Sequence, residues 1–187
     1  MAEPAAELNP GLARFLDGVC TVLKGRLPAL KTCELHGGRF DVQELKRLGT
    51  HAPAIYLSAM AAPLNGELGD GRRILRMQLT AFVVAKDAPG LSRDRAALNL
   101  VEALLLMIPN NVWGLAGQCS FPQKISAQNL YSGALDKTRL ALWGVSWQQG
   151  VFAGQSLWPE DGVVPSKVYV GTEPETGTPN KDSYEQL

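Results

Sequence analysis

Residues 72–86 read RRILRMQLTAFVVAK, and this stretch has the clearest alternation of apolar and polar side chains in the chain. Arg76, Gln78 and Thr80 fall on one face of such a pattern. The apolar positions of the opposite face are Leu75, Met77, Leu79, Ala81 and Val83. Because successive side chains of a β-strand point to opposite faces of its sheet, the pattern predicts a half-buried strand.

The residues that precede this strand, 62–73, read APLNGELGDGRR and contain two reverse-turn signals, Asn65-Gly66 and Asp70-Gly71. Both pairs adopt positive φ at little cost, which tight turns require. Residues 54–59 favour an extended strand just upstream. The sequence therefore predicts a protruding β-hairpin with an extended tip.

Helices and further strands are predicted on both sides of the hairpin. Apolar residues at three- and four-residue spacing predict a helix that begins near Asn9 or Pro10 and ends at Leu27-Pro28. The other predicted elements are a short strand at 31–35, an ambiguous segment at 41–48 that suits a short helix, a helix from Ser92 to about Ile108, and strands at 124–131 and 137–151 joined by Ser132-Gly133. This order predicts an α+β fold with a mixed, mainly antiparallel sheet, two main helices packed on it and the protruding β-hairpin.

Length and charge favour one folded domain followed by a polar segment. The chain has 187 residues, 45% of them hydrophobic, which suits a single domain at 1–154. Residues 155–187 are polar and rich in Pro and Gly, and we expect partners to order them. They carry six acidic residues and two lysines, a net charge of −4; because the whole chain is neutral, the rest carries +4. Zero net charge argues against a dedicated nucleic-acid binder.

The expected environment is the cytosol. Cys20, Cys33 and Cys119 lack a short paired spacing, so reduced thiols are predicted, most of them buried. The N-terminal residues show no basic stretch followed by an apolar run, so no secretory signal is predicted. The longest strongly apolar run, 103–108, is far too short to cross a bilayer, and no membrane contact is expected.

Motifs for catalysis or cofactor binding are not found, and the sequence predicts that the protein is not an enzyme. The two histidines are His36 and His51, and Cys33 with His36 supplies at most two of the four ligands of a structural zinc site. No serine lies in a G-x-S-x-G elbow. Neither glycine cluster fits a phosphate-binding loop. We predict no catalytic residues, no cofactor and no metal.

The candidate contact residues lie in the hairpin. Arg72, Arg73 and Arg76 form the one compact basic group, which indicates either a strand edge protected by charge, a contact to an acidic neighbour, or a surface facing passing DNA without sequence specificity. The candidate subunit-contact or lumen residues are Leu64, Asn65, Gly66, Arg72, Arg73 and Arg76.

Several segments resemble a family of tail proteins from Mu-like bacteriophages. The matching segments are 37–41 (GGRFD), 44–48 (ELKRL), 52–54 (APA), 129–136 (NLYSGALD) and 141–143 (ALW) with Trp147; residues 81–84 and 96–108 fall between them in the expected order. Together they span about residues 10–152, and residues after 154 show no resemblance. These motifs are structural and include no catalytic residues.

The resemblance implies a tail terminator, also called a tail completion protein. Such proteins cap the head-proximal end of the tail tube, commonly as a hexameric ring, stop tube polymerisation and present a surface to the head-tail connector. The implied partners are further copies of the chain, the tail tube protein and connector proteins. The implied location is the virion tail, after assembly in the host cytoplasm.

Two alternatives stay open at the level of the sequence. One is another head-tail connector or minor tail protein of similar fold, which would bind the head portal complex in preference to the tube. The other is a small-ligand-binding or enzymatic α+β domain. That reading requires a pocket lined by His36 or His51 on which carboxylates converge.

Overall fold

The chain divides into two compact units, Met1–Gln155 and Ser156–Leu187. The structure, a computed structural model, describes residues 11–38, 42–130, 138–158, 169–170 and 177–186. In the second unit, β7 (Tyr169–Val170) pairs with β8 (Glu185–Gln186) in antiparallel orientation, and residues Thr178–Ser183 form a short 3-10 helix. The backbone N–H of Gly177 donates to the Tyr184 hydroxyl over 2.6 Å.

The first unit combines helices with one large sheet. Its helices, within the described residues, are α1 (Gly11–Arg26), α2 (Val42–Gly49) and α3 (Arg93–Met107). Its strands are β1 (Thr32–Leu35), β2 (Ala54–Ala61), β3 (Leu64–Glu67), β4 (Arg73–Lys86), β5 (Gln123–Asn129) and β6 (Leu140–Ala153). No helix in the described part of the chain is long and apolar enough to span a membrane.

The sheet is organised around its two long strands. The strand order is β1-β2-β4-β6-β5, and β3 pairs with the first part of β4. Only β1 and β2 run parallel among the described pairs of this sheet; the others are antiparallel. β4 and β6 pair without a register shift from Arg73 opposite Ala153 to Lys86 opposite Leu140. The predicted α+β fold with a mainly antiparallel sheet is therefore confirmed, and β3 and β4 form a hairpin within it.

The main core lies between one face of the sheet and the helices α1 and α3. The predicted apolar face of β4 supplies much of it, with Met77, Leu79, Ala81 and Val83 buried and Leu75 half-buried. The helices contribute a complementary set of buried side chains: Phe15, Val19, Leu23, Ala97, Leu100, Val101 and Leu104. Apolar burial of this kind is the dominant favourable contribution to folding.

A second core covers part of the opposite sheet face, which the alternation along β4 did not predict. Phe82 and Val84 point away from the main core, yet both are buried. The segment around α2 covers them, and its contribution includes Leu48 and Ala52. The half-buried prediction is therefore wrong for the end of β4, because this end is buried on both faces and reads as the apolar run AFVVA.

Most predicted elements occur where the sequence placed them. Ser92 caps α3 by accepting a hydrogen bond from the Arg95 backbone N–H, and the helix ends before Pro109. Within the segment that the sequence left ambiguous, residues Val42–Gly49 form the helix α2. The apolar spacing along this helix predicts a packed face of Ala97, Val101, Leu104, Leu105 and Ile108. The assignment is wrong for Leu105, which is exposed, and Leu100 is buried on the packed face of α3. The predicted start of the first helix and the Ser132-Gly133 junction lie outside the described residues.

A buried glutamine joins the loop after α3 to strand β6. The Gln149 side chain is 1% exposed, and its Oε1 accepts hydrogen bonds from the indole N–H of Trp113 at 2.9 Å and of Trp147 at 3.2 Å. Its Nε2 donates to the backbone carbonyls of Ser120 at 2.7 Å and Asn111 at 3.1 Å. One amide therefore supplies hydrogen-bond partners to two indole N–H groups and two loop carbonyls. Buried polar groups require such partners.

Replacing Gln149 by leucine should destabilise the protein strongly. The Gln149→Leu variant keeps a similar volume but leaves two indole N–H groups without an acceptor, so we expect a loss of about 3 kcal/mol in the free energy of unfolding. Chemical denaturation at one fixed protein concentration measures this change. The matched control is Gln78→Leu at an exposed position of β4, where we expect a change within about 0.5 kcal/mol. Equal effects of the two substitutions would contradict this role for Gln149.

Candidate subunit-contact site at the hairpin

The tip of the β3–β4 hairpin is a tight turn at Asp70-Gly71, as predicted. The Leu68 N–H donates to the Arg72 carbonyl at 2.8 Å, and the Gly71 N–H donates to the Leu68 carbonyl at 3.0 Å. Gly71 has φ +84°, a conformation that glycine adopts without strain. The Asp70 carboxylate accepts from the Arg72 backbone N–H at 3.1 Å and closes the turn.

Asn65-Gly66 does not form a reverse turn, so this prediction is wrong. Both residues lie inside β3, where Leu64 pairs with Leu75 and Glu67 pairs with Arg73. Three steps along β3 therefore face two steps along β4, and the extra residue forms a β-bulge. Gly66 has φ +122°, so the positive φ that the sequence signalled serves a bulge in place of a turn.

Arg72 and Arg73 are held by their own chain. The Arg72 side chain donates to Asp70 Oδ2 at 2.7 Å and to the Gly117 carbonyl at 2.9 Å, and its guanidinium lies 5.6 Å from the centre of the Phe152 ring. Arg73 is ion-paired with Glu67 across the hairpin. The backbone N–H of Arg72, followed by its guanidinium, holds the pKa of Asp70 below its ordinary value. The stabilising contribution of Asp70 is therefore present above that ordinary pKa and is lost as the pH falls through the lowered one.

Arg76 differs from its two neighbours. Within the described part of the chain its side chain makes no ion pair or hydrogen bond, and it is half-buried. The structure therefore divides the predicted basic group into Arg72, which braces the tip of the hairpin, Arg73, which forms an exposed ion pair within the hairpin, and Arg76, which is available to a ligand. Of the predicted candidates, only Asn65 and Arg76 line a common cavity.

That cavity, which we call the hairpin-root pocket, has a volume of about 250 Å³ and lies where β3, β4, β5 and β6 meet. Its described lining residues are Asn65, Leu68, Ile74, Arg76, Ser120, Gln123, Gln148, Gln149, Gly150 and Phe152. Arg76 is the only charged residue among them. Sequence reasoning missed Gln123 and Gln148, because no local signal marks them and only strand pairing brings them to the pocket.

Gln148 is the unusual member of the pocket. It pairs with Gln78 of β4 on one side and with Gln123 of β5 on the other, so three glutamines form a row across the sheet. The Oε1 atom of Gln148 is buried and has no hydrogen-bond partner within the described residues. Buried acceptors without a partner are rare in folded proteins, and such an atom indicates a missing donor.

The hairpin also exposes an apolar side chain at the start of β3, at the end opposite to its tip. Leu64 is 63% exposed, and Asn65 and Gly66 beside it are exposed as well. Met60, at the end of the neighbouring strand β2, is 54% exposed. An exposed leucine on a protruding hairpin is suited to bury its surface against another protein.

The His36 side chain is engaged in structural contacts, and the cysteines carry free thiols. His36 Nε2 donates to the Glu44 carboxylate at 3.1 Å, and His36 Nδ1 accepts from the Gly38 backbone N–H at 3.1 Å. Arg47, and then His36, lower the pKa of Glu44 to about 2 through hydrogen bonds. The three cysteines carry free thiols, with Cys33 and Cys119 buried and Cys20 partly buried.

No metal-ligand cluster of three or more His, Cys, Asp or Glu side chains occurs among the described residues. The described lining of the hairpin-root pocket contains neither His36 nor His51, and it contains no carboxylate. The arrangement expected of the ligand-binding or enzymatic alternative is therefore not present in this pocket. Comparison of the chain with protein-family models finds no match, and comparison with curated proteins finds none either.

Removing Arg72 should loosen the turn at the tip of the hairpin. The Arg72→Ala variant loses the contacts to Asp70, Gly117 and Phe152, so we expect the amides of residues 68–72 to exchange about tenfold faster. Hydrogen-exchange mass spectrometry measures this rate. The matched control is Arg73→Ala, which removes an exposed ion pair and should change the rates less than about twofold. Unchanged exchange in Arg72→Ala would contradict the bracing role.

Proposed function

We propose that the protein is a structural virion protein, a tail terminator that caps the head-proximal end of a phage tail tube. In this proposal its copies form a closed ring that stops tube polymerisation and presents the joining surface for the head connector. Its partners are further copies of the same chain, the tail tube protein and head-tail connector proteins. It performs no catalysis.

The architecture supports this proposal. The Mu-like tail proteins that the sequence resembles are expected to combine helices, a mixed sheet and an extended hairpin, and the first unit has this combination. The segments that carry the resemblance also include parts of the fold that pack the second core, among them Leu48, Ala52 and Leu142. Fold alone does not determine function, so the surface features carry more weight.

The observation that carries the proposal is the exposed apolar hairpin. A ring of identical subunits needs two different patches that meet head to tail and close after a fixed number of copies. Leu64, which is 63% exposed at the start of β3, supplies one patch. The edge strands β1 and β5 supply candidates for the second, because each has another strand of the sheet on one side only among the described residues.

Growth stops when the two faces of the ring differ. One face must match the last ring of the tube, and the opposite face must not accept another tube subunit. In this arrangement the braced hairpin gives each subunit a fixed contact geometry, since Arg72 holds its tip to the Gly117 carbonyl of the loop after α3. A rigid contact loses less conformational entropy on assembly than a flexible one.

The hydrogen bonds of His36 and the burial of Cys119 support the non-enzymatic part of the proposal. Both ring nitrogens of His36 are occupied by Glu44 and by Gly38. Burial raises the pKa of the Cys119 thiol, which disfavours the nucleophilic thiolate. Neither side chain is therefore prepared for acid-base or nucleophilic chemistry.

Ring formation should depend on the hairpin. Sedimentation velocity over a concentration series should show the unaltered chain as a discrete closed oligomer of about six copies. Deletion of residues 64–71 should leave a folded monomer, and Leu64→Asp should have the same effect because it places a charge in the apolar contact.

The matched control is Leu98→Asp, which places the same charge on the exposed side of α3, where Leu98 is 48% exposed. This variant should retain the ring. Intact rings from the deletion variant would contradict the role of the hairpin. A ring lost equally in Leu98→Asp would show that the effect is not specific to the hairpin.

A further inference from the structure

The described lining of the hairpin-root pocket suits an anion, and it also contains one buried acceptor without a hydrogen-bond donor. Arg76 contributes a positive charge that no described residue neutralises, and the described lining holds no carboxylate. Asn65 and Gln123 add side-chain amides whose N–H groups donate to an anion. The buried Oε1 of Gln148 is an acceptor without a hydrogen-bond partner among the described residues, so it suits a ligand that brings an N–H donor.

These two requirements distinguish between classes of anion. A phosphodiester of a nucleic acid supplies acceptor oxygens for Arg76 but has no donor for Gln148. An acidic peptide supplies both, because an Asp or Glu carboxylate lies next to backbone N–H groups. The volume of about 250 Å³ is smaller than a site for a cofactor or drug-sized molecule and suits one or two side chains.

The chain itself contains a segment of the required chemistry. Residues 155–187 carry a net charge of −4, and the preceding part of the chain carries +4. In a ring of identical subunits each copy presents both a pocket and an acidic segment, which meets the demand for two complementary patches.

We propose that the hairpin-root pocket binds an Asp or Glu side chain from the acidic segment, residues 155–187, of a second copy of this chain. The carboxylate pairs with Arg76, and the neighbouring peptide N–H donates to Gln148. This inference rests on the proposed ring and names a contact that closes it. The pocket is thus a receptor between subunits, on the same hairpin whose Leu64 makes the apolar contact.

A binding measurement tests the pocket without requiring a ring. The receptor is the full-length chain in which the six acidic residues of 155–187 are replaced by their amides, so that its own segment does not compete. The probe is a fluorescein-labelled peptide of residues 155–187, followed by fluorescence anisotropy. The Arg76→Gln substitution in this receptor should weaken binding about tenfold, the loss expected for a charge-assisted hydrogen bond.

Three comparisons make the result specific. Gln148→Leu should also weaken binding, because the donor of the peptide loses its acceptor. The matched control Arg95→Gln removes the same charge from the exposed start of α3 and should change binding less than about twofold. A probe peptide with its six carboxylates replaced by amides should bind about tenfold more weakly.

Failure of this inference is distinguishable from failure of the proposed function. Peptide binding that is indifferent to Arg76 would overturn the pocket assignment, even if the unaltered chain forms a ring. Arg76-dependent binding of oligothymidylate without binding of the peptide would overturn it in favour of a phosphate site. Arg76-dependent peptide binding in a chain that sediments as a monomer would support the pocket and contradict the ring. If the amide-substituted receptor still forms the ring, the segment does not bridge copies, and the second-copy assignment is overturned.

Discussion

The amide of Gln149, held between the indoles of Trp113 and Trp147, connects the core of the first unit to its contact surface. Its other end fixes the carbonyls of Asn111 and Ser120, and so determines the path of the loop that follows α3. That loop then pairs with the end of β6, where the Ser120 N–H donates to the Gly150 carbonyl at 2.8 Å. The same loop presents the Gly117 carbonyl to Arg72, so a buried hydrogen-bond network helps to position the tip of the hairpin.

The shape of the hairpin follows from the register of the sheet. The uninterrupted pairing of β4 with β6 fixes where the hairpin leaves the sheet, and the bulge at Gly66 changes the direction of β3 relative to β4. Arg72 contacts Asp70 and the Gly117 carbonyl, and Arg73 is ion-paired with Glu67. Arg76 lies on the part of β4 that borders the pocket, and it retains an unpaired charge among the described residues. The turn that Arg72 braces and the Arg76 side chain, which has no ion-pair partner among the described residues, are therefore close together in the sequence.

The sequence predicted the features that depend on local periodicity. The alternation along the first part of β4, the capped helix from Ser92 and the turn at Asp70-Gly71 each follow from neighbouring residues, and each is confirmed. Asn65-Gly66 was misassigned because a positive φ suits a bulge as well as a turn, and only the pairing partner distinguishes them. Predicting the burial of Phe82 would require knowing where α2 packs. Predicting that Arg76 and Gln148 line one pocket would require knowing the strand register. Such features depend on contacts distant in sequence, which periodicity does not report.

The proposed function joins these features into one account, in which a braced hairpin and its root pocket let identical chains close into a ring that ends a tail tube. The most direct test is tube growth itself, with purified tail tube protein polymerised in the presence and absence of this chain and the tube lengths measured by electron microscopy. The account predicts shorter tubes that carry a ring of this chain at one end, with tube length falling as its concentration rises. Tubes of unchanged length without a bound ring, at concentrations where the chain is oligomeric, would contradict it.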